Sequence, residues 1–489
     1  MKIIRIPVIT IILVGLTLTL QSCSKKTVTG GGSIITPPPV NPGTPVKTDV
    51  KMWLTTQDKT QLLDKQNISL LFTSVANSNT TINVDTTTTY QTIDGFGFAL
   101  TGGSAQVINS LSSTVNSSII NELFSTDSTS IGISYIRLTI GASDMSASPF
   151  TYDDVASGST DVNLQQFSID MEKTDLIPTL KKIIAINPNI KILACPWSAP
   201  AWMKTNNSLS GGSLLPQYYS TYANYFVKYI QAMAAQGITI DAITPQNEPL
   251  NPSNNPAMVM QDTAEAKFIG SYLGPALQAA SITTKIICYD HNCDRPDYPV
   301  YVLNDQTANK YVDGSAFHLY AGDISALTPV HTAFPNKNIY FTEQATFGTG
   351  SFSGDLSWHV NNLIVGATRN WSRNVIEWNL ASDPNYGPHT TGGCTTCQGA
   401  ITVNSSTSVS RNVSYYIIAH ASKFVRPGAV RIASDASTTL PNVAFKNTDG
   451  TKVLIVLNNT NGSQTFNIKF NSKTVTSTLN YGAVATYVW

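Results

Sequence analysis

Eight short apolar runs, rich in β-branched and aromatic residues, recur through the middle of the chain and alternate with stretches of helical character. They occupy residues 93–99, 133–140, 191–198, 238–244, 285–290, 314–320, 338–343 and 375–380. Between two of them Leu176, Leu180, Ile183 and Ile184 fall near helical spacing, and Pro178 sets the helix start close to Asp175. Residues 214–236 put Tyr222, Tyr225, Phe226, Tyr229 and Met233 on one face and stop at Gly237. Asp262-Thr-Ala-Glu265 reads as a capping box opening the next helix. Eight strand–helix units in one run favour a closed parallel α/β barrel over an open sheet, and functional side chains then belong at the C-terminal ends of the strands.

Two of those ends carry a carboxylate. The fourth run stops at Thr244-Pro245 and is followed by Asn247-Glu248-Pro249; the seventh ends in Glu343. Two carboxylates at neighbouring strand ends are the minimum apparatus for cleaving a glycosidic bond. Other strand ends add Arg137 and then Asp144, Trp197 with Trp202 close behind, His318 and Tyr320, and Trp378 with Asn379. A single strand-end Glu is more often a salt bridge or helix cap, and a single Trp is usually core. Six strands delivering such residues to one mouth favour the catalytic reading. Retaining hydrolysis needs a nucleophilic carboxylate about 5 Å from a carboxyl that starts protonated. The acid is expected to be raised by apolar surroundings and like charge, and the nucleophile held down by donors, for which Arg137 and Tyr320 are candidates facing Glu343. Asn247 is placed to bond a sugar hydroxyl, and the Trp rings to cover a sugar's C–H face.

Charged residues make up 12% of the chain and balance to a net charge of zero, which argues against nucleic acid as a partner. At the N-terminus Lys2 and Arg5 precede an apolar run over residues 8–20, short for a membrane span, and Leu20-Gln21-Ser22-Cys23 resembles a bacterial lipoprotein cleavage box. The expectation is a signal peptide over 1–22, an acylated Cys23, and a Gly/Pro-rich tether over 23–45. The exported protein would sit on the membrane through its lipid, facing the periplasm or the cell surface. Cys394-Thr-Thr-Cys397 lies in a Gly/Thr loop and reads as a loop-stapling disulfide, with no second close Cys/His pair to complete a metal site. Cys288 and Cys293 are a further candidate pair, and Cys195 a buried thiol. Short strand-like runs at 46–90 and again after 400 read as one β-sandwich assembled from both sides of the barrel, giving a side domain of 46–90 plus 400–489 and a barrel of 91–399.

The segments DGFGFALTG (94–102), YIRLTIGASDMS (135–146), CPWSAPAWMKTN (195–206), PQNEP (245–249), FHLY (317–320), YFTEQ (340–344), EWNLA (377–381) and SKFVRPGAVRI (422–432) together resemble glycoside hydrolase family 30, which contains glucosylceramidases and microbial β-1,6-glucanases. The resemblance spans roughly residues 50–489. It implies a (β/α)8 TIM barrel fused to a β-sandwich, retention of anomeric configuration, Glu248 as acid/base and Glu343 as nucleophile. It also places Asp144, Trp197, Asn247, His318 and Trp378 at sugar-pocket positions. Near the last strand the chain departs from the glucosylceramidase branch: NYGPHTTGGCTTC puts His389 and the cysteine loop where that branch has a sugar-binding asparagine.

The expected activity is retaining hydrolysis of β-glucosides, with β-1,6-linked glucan or glucan side branches as substrate, no cofactor, no metal and a monomeric chain. A glucosylceramidase-like activity on glycolipid is the alternative. A non-catalytic glycan-binding lipoprotein is the reading from a different class, and a metallohydrolase stands further off.

Overall fold

The computed structural model describes residues 46–489. The expected signal peptide, Cys23 and tether lie outside them. Eight parallel strands form the barrel: β1 (Gly95–Leu100), β2 (Tyr135–Thr139), β3 (Lys191–Cys195), β4 (Ala242–Ile243), β5 (Lys285–Asn292), β6 (Val312–His318), β7 (Asn338–Glu343) and β8 (Asn374–Glu377). They pair in chain order and β8 pairs with β1. Parallel bridges Ile339↔Ser372 and Ala345↔Trp378, with Arg373 N–H on the Ile339 carbonyl at 2.9 Å, close β7 onto β8. All eight expected strands are present. They read as near-continuous apolar runs because both faces of a barrel strand are covered. The lower interior is filled by Tyr135, Leu193, Ala242, Ile287, Ala316, Tyr340 and Ile376. Gly97 has to be glycine: a Cβ there would lie 1.8 Å from the Tyr135 carbonyl of β2.

The outer helices follow the apolar spacing. Helix Tyr219–Ala235 buries Tyr222, Tyr225, Phe226, Tyr229 and Met233 completely. It ends at Gly237 (φ +80°), whose left-handed backbone lets Ile238 N–H reach back to the Met233 carbonyl at 3.0 Å. The capping box expected at Asp262 does not form. Gln261 is the cap residue, and Glu265 turns inward, fully buried, to accept Tyr289 N–H at 3.0 Å. The bulged backbone of β5 leaves that amide free, and a buried amide needs an acceptor more than a helix end needs a second cap.

The side domain is one nine-stranded sheet that curls on itself. Its strands run in the order 62–65, 51–55, 484–488, 452–457, 442–446, 430–434, 80–92, 464–470 and 473–479. Segments before and after the barrel therefore interleave, as expected. In strand Lys452–Leu457 the side chains of Leu454 and Val456 join the sandwich core with Met52, Phe466 and Tyr487. Those of Val453, Ile455 and Leu457 point the other way, into the barrel's helical layer. The uninterrupted apolar run follows from this double burial.

The expected start of the returning side-domain segment at residue 400 falls on barrel structure. Strand Ile401–Ser405 pairs with Ala381–Ser382 just beyond β8. Helix Val413–Ser422 then packs, buried along its whole length, between barrel and sheet. His420 pins it there, with Nε2 2.8 Å from Thr55 Oγ1 and Nδ1 2.9 Å from Thr486 Oγ1. The side sheet resumes only at Val430. A hairpin rich in Ser and Thr is indistinguishable by composition from sandwich strands, which is why 401–411 reads as side domain in the sequence.

Candidate active site

β4 is only two residues long, and the segment after it is held by its neighbours rather than by a ladder. Asn247 N–H bonds the Pro196 carbonyl at 2.8 Å, and Glu248 N–H bonds the Asp290 carbonyl at 3.0 Å. Glu248 itself has φ +43°, a left-handed backbone that a non-glycine residue adopts only when its surroundings impose it. On β5 the pairing slips between Tyr289 and His291, and Tyr289 and Asp290 both have positive φ (77° and 65°). This bulge turns Asp290 toward the barrel axis.

Arg137, fully buried on β2, ties these elements together. Its Nη1 donates to Glu343 Oε2 at 2.5 Å, and its Nη2 to Asn247 Oδ1 at 2.7 Å and Asp290 Oδ2 at 2.8 Å. Its guanidinium lies 4.9 Å from the Trp197 ring centroid. Asp290 also accepts the hydroxyls of Thr244 (2.7 Å) and Thr342 (2.5 Å). His318 bridges Asp290 (Nε2, 3.1 Å) and Glu248 (Nδ1, 3.3 Å), with Nδ1 3.9 Å from Glu343. Tyr320 donates its hydroxyl to Glu343 Oε1 at 3.0 Å, and Asn251 its amide to Glu248 Oε2 at 2.7 Å. Oxygens of Glu248 and Glu343 approach within 4.8 Å of each other across the floor of a cavity of about 470 Å³.

The electrostatics of the site invert the expected order. Burial pushes Glu248 up, but the hydrogen bond and charge of His318 outweigh it and hold the carboxyl at about 2. Burial also raises Glu343, and the positive charges of His318 and Arg137 only partly offset this. Burial disfavours the His318 cation, yet Glu343, Asp290 and Glu248 around it lift the imidazole to about 9. The Glu248–His318 pair thus holds one proton, and it rests on the imidazole. Both Glu248 oxygens accept donors there, which is the ionised form's arrangement.

Asp144 lines the same cavity. Burial and then the charge of Glu343 raise it to about 7, and its Oδ2 accepts Cys394 N–H at 3.3 Å. Cys394 and Cys397 form a disulfide that borders the cavity. Trp197 and Trp378 stack at 5.3 Å, and Trp197 Nε1 has no partner among the described residues. Some sequence candidates lie elsewhere. Trp202 donates to the Asp153 carbonyl, and Asn379 accepts Thr101 Oγ1 at 3.0 Å behind β8. His389 turns to the Thr390 carbonyl. Cys288 and Cys293 are separate buried thiols, as is Cys195, because β5 continues through 292 and keeps the first two apart. Sequence reasoning passed over Asp290, Asn251, His291 and Phe347. Asp290 ends an apolar run as Glu343 does, which was the available signal.

A closed barrel with two carboxyls this close, buried and fixed by donors, is a glycoside hydrolase. Residues 93–425 match the glycosyl hydrolase family 30 TIM-barrel domain and residues 428–487 the family 30 beta sandwich domain, so the chain belongs to glycosyl hydrolase family 30. It is 38% identical over 403 residues to endo-1,6-beta-D-glucanase neg1 of Aspergillus fumigatus, covering 77% of this chain and 80% of that one. To lysosomal acid glucosylceramidase of Mus musculus it is 30% identical, covering 82% and 81%. Among solved structures the endo-beta1,6-glucanase BT3312 superposes with a TM-score of 0.84 at 36% identity, covering 91% of this chain and 99% of that one.

Proposed function

We propose that the protein is a retaining β-glucanase cutting β-1,6-linked glucan, with Glu343 as nucleophile and Glu248 as acid/base. The observation that carries the mechanism is the approach of the two carboxyls to within 4.8 Å, in keeping with the spacing of double displacement and too short to seat a water between them. Glu343 attacks the anomeric carbon while the leaving oxygen takes the proton held by the Glu248–His318 pair. Forming the ester removes the negative charge of Glu343, so His318 retains less reason to stay charged when the pair is reprotonated. Water then attacks the ester, its proton passing to Glu248, and the β-anomer is released. Arg137 and Tyr320 keep Glu343 aimed and neutralised until attack. Trp197, Trp378, Asp144 and Asn247 bound the sugar. The β-1,6 linkage is supported by the fungal relatives named as endo-1,6-beta-D-glucanases and by the likeness to BT3312.

The test combines substrates and variants. Gentio-oligosaccharides are expected to be cleaved with retention, ahead of laminarin, xylan and glucosylceramide. Glu343→Gln should lose activity by several powers of ten. Glu248→Ala should still form the glycosyl-enzyme from activated aryl glucosides and be rescued by azide as the β-glucosyl azide. Release of the α-anomer, or azide rescue confined to Glu343→Gln, overturns the assignment, and preferred turnover of glucosylceramide overturns the substrate.

A further inference from the structure

A second cavity, of about 190 Å³, lies where the side sheet's first hairpin meets the barrel mouth. It shares one residue with the catalytic cavity, Phe347, whose ring is 37% exposed at the common rim. The rest of the wall mixes apolar rings with polar groups, of which Arg411 pairs with Glu122 and Asn412 bonds the Gly399 carbonyl and Thr402. The Phe352 ring carries Lys59 Nζ 5.1 Å from its centroid. The half-buried carboxylate of Asp355 accepts no hydrogen bond from any described residue, and burial raises it. It lies against Gly350, where a Cβ would stand 2.5 Å from Oδ2, so the backbone itself makes room for that carboxylate. The side-chain amide of Gln398 likewise has no partner among the described residues. Partly buried polar groups normally find partners. An unpaired carboxylate and an unpaired amide beside the exposed Phe347 ring suit a ligand with many hydroxyls and an apolar C–H face.

The contacts of Phe347 bear on the position of the cavity relative to the scissile bond. The leaving group departs beside Glu248 and Asn251. Phe347 is held by the disulfide loop: its strand pairs with Cys397, Gly348 N–H bonds the Thr396 carbonyl at 2.8 Å, and Cys394 N–H donates to Asp144; the same loop reaches the Asn251 side through Asn255 Nδ2 on the Thr391 carbonyl at 3.0 Å. We propose that the cavity lined by Phe347, Phe352, Asp355, Gln398 and Lys59 is a distal glucosyl subsite on the non-reducing side of the cleaved bond. It holds a pyranose of the same glucan chain that fills the catalytic cavity. In a β-1,6-linked chain the non-reducing portion continues from the exocyclic carbon of the sugar being cleaved, so it leaves that sugar's rim rather than its buried face. It then passes the disulfide and Phe347. This inference rests on the β-1,6-glucan reading and adds what would let the enzyme act within a chain.

The test is the double variant Asp355→Asn, Gln398→Ala, compared with the unaltered enzyme on an aryl β-glucoside and on gentio-oligosaccharides of increasing length. Neither side chain reaches the catalytic cavity, so turnover of the aryl glucoside should be unchanged. The unaltered enzyme should gain kcat/KM with chain length, and the variant should lose about tenfold on the longest substrates. Reducing-end-labelled oligosaccharides should show its cleavage moving toward the non-reducing end. Coincident chain-length profiles, with β-1,6 chains still cleaved, overturn the subsite alone. Intact aryl-glucosidase activity with no cleavage of β-1,6 chains overturns the glucan reading and the subsite together.

Discussion

Replacing Asp290 by Asn tests whether the shared proton of the site is held as described. Asp290 Oδ2 faces Arg137 and Thr244, and Oδ1 faces His318 and Thr342. An asparagine must keep its single oxygen toward Arg137, which can only donate, so its NH2 group faces His318 Nε2 and forces that nitrogen to accept. The imidazole is then neutral, with its proton on Nδ1. In the unaltered protein burial disfavours the cation but Glu343, Asp290 and Glu248 outweigh it, taking His318 from 6.5 to about 9. A raised value stabilises the fold fully below pH 6.5, and that contribution, roughly 3 kcal/mol, is lost as pH rises through about 9. Urea denaturation at pH 6 and pH 9.5 should show this loss in the unaltered protein. Buried groups titrating in the window that do not feel Asp290, such as Glu172, cancel in the difference between the two proteins. Asp290→Asn should shrink the loss to under about 1 kcal/mol. At pH 6 the variant should also be less stable by about 3–5 kcal/mol, toward the lower end because Glu343 still holds Arg137. The alkaline limb of kcat/KM should move to lower pH. Equal pH-dependent losses in both proteins would refute the assignment of the proton to His318.

Asn251→Ala removes a donor from ionised Glu248, worth about 1 kcal/mol, so the Glu248 carboxyl should rise by roughly 0.7 pH unit while the alkaline limb of kcat/KM, set by the proton on His318, stays in place; a shifted alkaline limb in the pH–rate profile would contradict this. Cys394→Ser with Cys397→Ser should cost about 2 kcal/mol at most, because the loop closed is short. Its main effect should be a raised KM, as the loop holding Asp144 loosens, and kinetics on an aryl glucoside would show it. Cys23→Ala should leave an active enzyme that no longer partitions with membranes; fractionation with retention unchanged would remove the lipoprotein reading.

The barrel was legible because covered strands are written as apolar runs, and periodicity finds such runs without knowing what covers them. Glu248, Glu343 and Tyr320 were legible for a related reason: each follows or ends such a run, and a barrel brings run ends together; Arg137 was legible as the one charge inside its apolar run. Asp290 sits in the same kind of place, but its role depends on the bulge at Tyr289, and no local residue pattern marks that backbone. The ionisation order was not legible either. It is decided by His318 lying 3.3 Å from one carboxyl and 3.9 Å from the other, a difference of packing rather than of composition. Two π-helical turns, Ile269–Leu273 and Val360–Ala367, also escape periodicity, since one extra residue per turn leaves the apolar spacing nearly intact.

The interleaved side sheet has a consequence for biosynthesis. Strand Lys51–Thr55 finds its partner in Val484–Val488, with Lys51 opposite Val488. During synthesis the first hairpin, in which Lys51–Thr55 pairs with Leu62–Lys65, emerges first and must wait with its other edge unpaired while the whole barrel is made. At about 5–20 residues per second that interval is tens of seconds. An exposed edge carrying Met52 and Leu54 is a template for pairing with another chain. Yield should therefore depend on how the nascent protein is shielded until its last strand arrives. Shortening the chain by that one strand should cause aggregation, even though the catalytic barrel would be complete.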